Sequence, residues 1–227
     1  MNRDWLLLTQ IESQNRLKYF YQYRPNVLGD FHEMGRNASY FFQPGIPSRT
    51  NPITQAETTA LTKKIARYHA QALDQEKRLY YSEESFDDFY YGKGSTYPDI
   101  NGAIGILFEQ ASSRGYVTDS DNGILSFAFG IKNHFLTSMS TLKGSHENRQ
   151  ELIDYRQQFY RKSIVQAGKE DFSGYLIHEK HDNYRLTDLL TKLKQHQIEV
   201  YPLTDKFRLN GKDYGAQHSF YIPLKQK

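Results

Sequence analysis

The sequence predicts an α/β protein: a sheet flanked by helices, followed by the start of a second, smaller α/β unit. Three observations carry that expectation. Residues Ala103-Ile104-Gly105-Ile106-Leu107-Phe108 form an almost unbroken apolar run of strand length, as in a strand buried on both faces of a sheet. Upstream and downstream of it, apolar residues recur at helical spacing. Beyond Gly168 shorter strand-like and helical segments alternate again.

The elements follow in order. Thr9-Gln10-Ile11-Glu12 has the pattern of a capping box, and Arg24-Pro25 closes the segment, so a helix is expected to feed the strand-like run 26–31. After a Pro- and Gly-punctuated loop, Thr54-Gln55-Ala56-Glu57 repeats the signature ahead of Leu61, Ile65, Tyr68 and Leu73, which predicts a longer amphipathic helix. Residues 82–101 are rich in acids, aromatics and glycine, with Gly92-Lys93-Gly94-Ser95 and Tyr97-Pro98-Asp99 as turn material, and loops of this kind rim active sites. From Ile124 to Leu142 the apolar residues, notably Ile131, Phe135, Met139 and Leu142, again have helical spacing, and a charged helix is expected from about 146 to 163. Tyr175-Leu176-Ile177 reads as a strand, 186–194 as a helix and Ile198-Glu199-Val200-Tyr201 as a strand, a βαβ-like beginning. The runs 206–209 and 219–224, with Asn210-Gly211 between strand-like flanks, suggest a hairpin. The expected domains are 1–165 and 166–227, with no internal repeat and no low-complexity tract.

Composition narrows the function. With 38% hydrophobic residues, 18 Tyr and 14 Phe in 227 residues, a packed core is affordable and global disorder is not expected. A net charge of +3, with basic residues interleaved with acids, argues against nucleic acid as a partner. The absence of Cys excludes disulfides and thiolate metal sites while fitting any compartment. Leu6-Leu7-Leu8 is too short for a signal h-region or a membrane span.

Chemistry gathers where strands end. The apolar run 103–108 delivers the acid Glu109 to the carboxyl end of a buried strand, where open α/β sheets place their reacting groups. The run 26–31 delivers His32 and Glu33 to the equivalent place, and Asn2-Arg3-Asp4-Trp5 adds a guanidinium beside a polar amide. A base, a metal-type ligand and an anion receptor could therefore share one cleft. His196-Gln197-Ile198-Glu199 is formally H-x-x-E but lies at a helix–strand junction of the second unit, and His178-Glu179-Lys180-His181 reads as a charged turn. His69, on an amphipathic helix, reads as structural.

These motifs resemble the zinc carboxypeptidases of the carboxypeptidase A type. In that family an Asn-Arg pair followed by a polar residue and Trp grips the substrate's terminal carboxylate. A His after a short strand ligates zinc, and a Glu ending a later strand is the general acid/base. Asn2, Arg3, His32 and Glu109 match in the family's order, and the phrases 30–35 and 105–115 look like a bacterial branch. The resemblance covers roughly the first 140 to 160 residues, a typical domain length. It implies a metallocarboxypeptidase acting on peptides with a free C-terminal carboxylate, secreted or periplasmic as a complete protein, with Zn2+ as cofactor. Of the three protein ligands such a zinc needs, only His32 is present. The family's H-x-x-E pair lies upstream of the Asn-Arg motif, so the chain is expected to be a fragment, inactive alone.

The resemblance also makes Tyr97 the best match for the family's mobile active-site Tyr, with Tyr90 or Tyr91 as alternatives, and offers Asp99 as a guess at basic side-chain preference. For the fold, the resemblance implies the rear half of a mixed eight-stranded sheet flanked by helices; losing the front would leave an edge and an apolar face uncovered, hence the expectation of self-association. Two rival readings remain: a non-catalytic binder of peptide carboxylates, and an interaction or ligand module carried by the rear unit.

Overall fold

In a computed structural model, which describes residues 1–226, the chain is a mixed α/β protein. Helix α1 (Ile11–Tyr23) precedes strands β1 (Val27–Met34) and β2 (Tyr40–Phe42), helix α2 (Ala56–Gln75) and strand β3 (Ile104–Ala111). Strands β4 (Val117–Ser120) and β5 (Gly123–Ser126) form a hairpin that leads into helices α3 (Phe127–Glu147) and α4 (Arg149–Ala167). Then come β6 (Gly174–His178), α5 (Asn183–Gln195), β7 (Tyr201–Pro202), β8 (Phe207–Leu209), β9 (Lys212–Tyr214) and β10 (Ser219–Pro223).

Two compact units emerge, Met1–Leu6 with Pro25–Gln157 and Leu7–Arg24 with Gln158–Lys227. The division at 157/158 falls inside α4 rather than at 165/166, and α1 goes with the C-terminal segment although it sits just before β1 in sequence. The Tyr21 hydroxyl donates to the His196 carbonyl at 3.0 Å, tying α1 to the end of α5.

The first unit is built on a three-stranded sheet in the order β1-β3-β2. β1 runs parallel to β3 and β2 antiparallel to it, with Phe31 opposite Phe108, His32 opposite Glu109, and Tyr40 opposite Gln110. β3 is buried at every position except Glu109, which accounts for its continuous apolar sequence. Helices α2 and α3 cover one face, where Phe31 stacks on Phe108 at 4.6 Å and His69 meets Phe108 edge-on at 5.0 Å.

Against the other face lies the segment 91–99, which is buried rather than an open rim. A Cβ on Gly105 would stand 2.1 Å from the Ser95 carbonyl oxygen, so only glycine admits that crossing. In the same layer Gln43 bridges the strand to an acid, accepting from the Leu107 amide at 2.7 Å and donating to Asp88 at 2.9 Å.

Several local expectations shift. α1 and α2 start one residue later than the capping boxes predict, with Gln10 and Gln55 at the N-cap and no capping bond from either side chain. The hydroxyl of Thr54 is instead bonded to that of Tyr91 at 2.7 Å. Ile124 belongs to β5, and α3 begins at Phe127 with Ser126 accepting from the Phe129 amide. The largest departure is the orientation of α3. Its buried residues are Asn133, Thr137, Ser140 and Gly144, while Ile131, Phe135, Met139 and Leu142 are exposed by half or more.

In the second unit β10 lies between β6 and β7 and is antiparallel to both, so β6, α5 and β7 make a split βαβ. β8 and β9 are the hairpin around Asn210-Gly211, separate from β10.

Candidate active site

The parallel register places His32 and Glu109 side by side. Residues 30, 32, 107 and 109 share the sheet face away from α2 and α3, because side chains alternate along a strand. Asp30, two residues before His32 on that face, comes within 3.0 Å of the imidazole Nε2 at its Oδ1. The short spacing was legible in the sequence, since positions i and i+2 of a strand point the same way, yet Asp30 is not among the residues the motifs single out.

Electrostatics ties the group together. The Asp30 hydrogen bond holds the His32 imidazole above its ordinary pKa against the opposing effect of burial, with the charges of Asp30 and Glu109 adding to it and Arg3 subtracting. Burial raises Glu109 above the usual carboxylate range; the His32 and Arg3 charges pull it down, and Asp30 pushes it up. From the opposite face His134 bonds to the His32 backbone and, through Nδ1, to the Tyr40 hydroxyl at 3.0 Å, pinning β1 at His32.

The N-terminal segment is anchored on this face. Trp5 is buried, donates its amide to the Gly92 carbonyl at 3.0 Å and stacks on Tyr97 at 5.3 Å. Arg3 and Asn2 are exposed beside it, and the Tyr90 hydroxyl donates to the Arg3 carbonyl at 3.2 Å. A Cβ on Gly94 would lie 2.7 Å from Asp30 Oδ2, so the glycine lets the loop backbone close over that carboxylate. Lys93, 5% exposed, fixes the loop by donating to Asp87 Oδ2 at 2.9 Å.

The structure thus brings Arg3, His32 and Glu109 under one electrostatic influence, with Asn2 adjacent in sequence. Tyr97 is 1% exposed beneath Trp5, in a 3-10 turn over Tyr97–Asn101, so its ring is part of the core packing. Tyr90 is 38% exposed and next to Arg3. Tyr81, which the motifs do not mark, donates to Met34 Sδ at 3.3 Å, and burial raises its hydroxyl above the ordinary pKa, with the Glu109 charge adding to it. Asp99 is fully buried and accepts from the Gly105 amide at 3.0 Å, with burial and Asp88 raising it well above the normal range; it presents no carboxylate to a substrate side chain.

His69, His178 and His196 lie outside the site. The first bonds to Ser140 at 2.7 Å and the second to Ser219 at 2.8 Å. Among the described residues no group of three or more His, Cys, Asp or Glu side chains is arranged to hold a metal, and no helix is long and apolar enough to cross a membrane. No protein-family model, curated protein or solved structure matches the chain.

Proposed function

We propose that the chain works as part of a zinc-dependent metallocarboxypeptidase, a secreted or periplasmic hydrolase of C-terminal peptide bonds. In this reading it supplies the carboxylate receptor, the acid/base and one metal ligand. The observation that carries the proposal is the pairing of His32 with Glu109 across parallel strands, under the charge of Arg3.

Arg3 grips the free carboxylate of the peptide with paired N–H donors, Asn2 adds an amide donor, and cleavage is thereby limited to the last bond. Glu109, kept above the ordinary carboxylate range by burial, takes a proton from the attacking water and passes it to the leaving amine. A C–O bond forms as the C–N bond breaks, and the atoms of water divide between the new acid and the released amine. In this reading Tyr90, exposed and bonded to the Arg3 carbonyl, takes the part of the Tyr that closes over the bound carboxylate in place of the buried Tyr97.

The ligand role of His32 is supported by Asp30 on its Nε2, in the manner of the carboxylate–imidazole pairs that steer metal-binding histidines, which would leave Nδ1 for the ion. One imidazole is not a zinc site, however, and the described residues hold no set that would complete it. A competent centre needs ligands from outside these residues. That same observation favours a second reading, a peptide-carboxylate binder that does not hydrolyse.

Zinc titration of the chain and of His32→Ala, with hydrolysis and binding of a blocked dipeptide bearing a free carboxylate, tests both. Zinc binding no tighter than about 0.1 mM and no turnover are expected. Dipeptide binding should survive a chelator and weaken about tenfold in Arg3→Met. Tight one-to-one zinc binding abolished in His32→Ala would sink the incomplete site, and failure to bind the dipeptide would sink the receptor.

A further inference from the structure

The outer edge of β1 and one flank of α3 form a continuous surface. The Ile104 amide donates to the Asn26 carbonyl at 3.0 Å and the Ser112 amide to the Met34 carbonyl at 3.1 Å. Backbone directions alternate along a strand, so the even-numbered residues of β1 turn their N–H and C=O groups to β3. Val27, Gly29, Phe31 and Glu33 turn theirs to the edge that carries no strand among the described residues.

Helix α3 runs along that edge, antiparallel to β1. Near its start Asn133 bonds Gln110, toward the carboxyl end of β3, and His134 meets the ring of Phe31 edge-on at 5.2 Å. Beyond its end Asn26, just before β1, donates to the Leu152 carbonyl at 3.1 Å. One flank of α3 belongs to α2, where Ser140 bonds His69 and Lys132 bonds Glu76. Phe127, Ile131 and Leu142 stand one or two turns from His134 on the other flank, beside β1, and Phe135 continues their row. All four are exposed by half or more, and Phe31 by 41%.

Such a surface fits a partner that brings both a strand and an apolar helix. A peptide added to β1 pairs the backbone but leaves the flank of α3 bare, whereas a second copy turned about a two-fold axis supplies both. The sequence of β1 also fits itself. With Phe31 facing the partner's Phe31, Gly29 faces the partner's Glu33, Leu28 the partner's Met34, and the Asp30 carboxylate the partner's His32 imidazole. Moving the strands by two residues either way sets Asp30 against Asp30 or His32 against His32, like groups directly opposed.

Because His134 touches Phe31, the axis through Phe31 also passes beside His134 and Phe135. Phe127 then faces the partner's Leu142, and Phe135 approaches the partner's Phe135. With α3 over β1 and β3, the two helices stand about two strand spacings apart, roughly 10 Å, the separation at which helices pack. At half exposure the five apolar side chains bury on the order of 500 Å² per copy. The paired edge brings this toward the roughly 800 Å² per partner of a stable interface.

We propose that the chain is a homodimer in which β1 pairs antiparallel with β1 of a second copy, with the two α3 flanks packed over the seam. The two three-stranded sheets become one. Both candidate sites lie on the opposite face of the joined sheet, on either side of the axis, and the pairing holds whatever His32 and Glu109 do there.

Sedimentation velocity of the full chain at neutral pH should show a dimer with Kd below about 10 µM. Glu33→Pro removes an N–H at the edge while leaving β1 its bonds to β3, and should weaken association at least about tenfold. Phe135→Glu, which sets two carboxylates together at the axis, should do the same without touching the strand; circular dichroism checks that each variant is folded. The chain has no Cys, so a single introduced thiol reports only on its own copy. Under mild oxidation Phe31→Cys should form a linked dimer, since directly opposed residues bring their Cα atoms to about 5.5 Å. Ile53→Cys, exposed in the loop before α2, should not. A chain that stays monomeric at about 100 µM overturns the proposal. So does a dimer that either folded variant leaves intact, one that Phe31→Cys links no faster than Ile53→Cys, or assembly that continues past two copies.

Discussion

Replacing His69 by Leu should reshape the acid limb of the stability curve. The imidazole is fully buried, its Nδ1 is bonded to Ser140 Oγ at 2.7 Å, and its Nε2 has no partner. Because Ser140 Oγ donates to the Thr137 carbonyl, it accepts from Nδ1–H, which leaves Nε2 as the bare lone pair facing Phe42 and Phe108. A second proton would go to Nε2 with no acceptor in reach, and burial lowers the pKa to about 3.

A lowered folded pKa gives stability that is whole above the unfolded value near 6.5 and is lost as pH falls toward 3. At about 1.36 kcal/mol per unit, the loss between pH 6.5 and 4 is roughly 3 kcal/mol. Asp88 acts oppositely: burial raises it to about 6, so its contribution is whole below the unfolded value near 3.8 and fades as pH rises through 6. Urea unfolding of both proteins at pH 7.5, 6, 5 and 4 isolates His69 in the difference. At pH 7.5 the variant should be less stable by about 1–2 kcal/mol, because Ser140 loses a partner. By pH 4 the gap should close or reverse. Parallel curves across this range would refute the assignment of a neutral buried imidazole.

Other perturbations follow from the same geometry. Gly105→Ala drives a methyl into the Ser95 backbone and should cost more than about 3 kcal/mol in urea unfolding; a loss under about 1 kcal/mol would mean that the crossing of 95 over 105 is looser than described. Asp30→Asn removes the main cause of the raised His32 pKa, so the imidazole should titrate lower in a proton NMR series, and an unchanged midpoint would show that the pair does not form. Paired Phe135→Glu and Met139→Lys changes on the outward side of α3 should raise solubility and shift sedimentation toward the monomer with unchanged stability; a wild-type chain that is already monomeric would refute the exposed stripe as a contact surface.

The sheet was legible because its signal is strong and local. β3 reads as buried from six consecutive residues, and Glu109, two residues before the strand's end at Ala111, is the one position that reaches partial exposure. The alignment of His32 with Glu109 follows once the two runs pair in parallel. The burial of Tyr97 was not legible for a physical reason: Tyr97-Pro98-Asp99 has turn composition, but nothing local reports that Trp5 folds back on it. The capping box of α2 failed by a single residue, with Thr54 bonded instead to Tyr91, a partner 37 residues away. The assignment of α1 to the second unit rests on contacts with α5 that sequence order hides.

The inverted face of α3 joins these threads. Helical periodicity reports that one side is apolar but not which way that side points. Here the packed side is Asn133, Thr137, Ser140 and Gly144. Each polar residue among them has a specific use: Asn133 bonds Gln110, Thr137 bonds Tyr40, and Ser140 bonds His69. Gly144 admits the ring of Tyr68, whose Cδ2 would stand 3.0 Å from an added Cβ.

Small residues on that side let α2 and α3 approach closely, which leaves the bulkier Ile131, Phe135, Met139 and Leu142 outward. β1, at the sheet edge, has no strand on its outer side among the described residues. An apolar helix face and an open strand edge in the same unit are the two kinds of surface on which another apolar face or strand packs, so the α3 stripe and β1 are where association of this unit would begin.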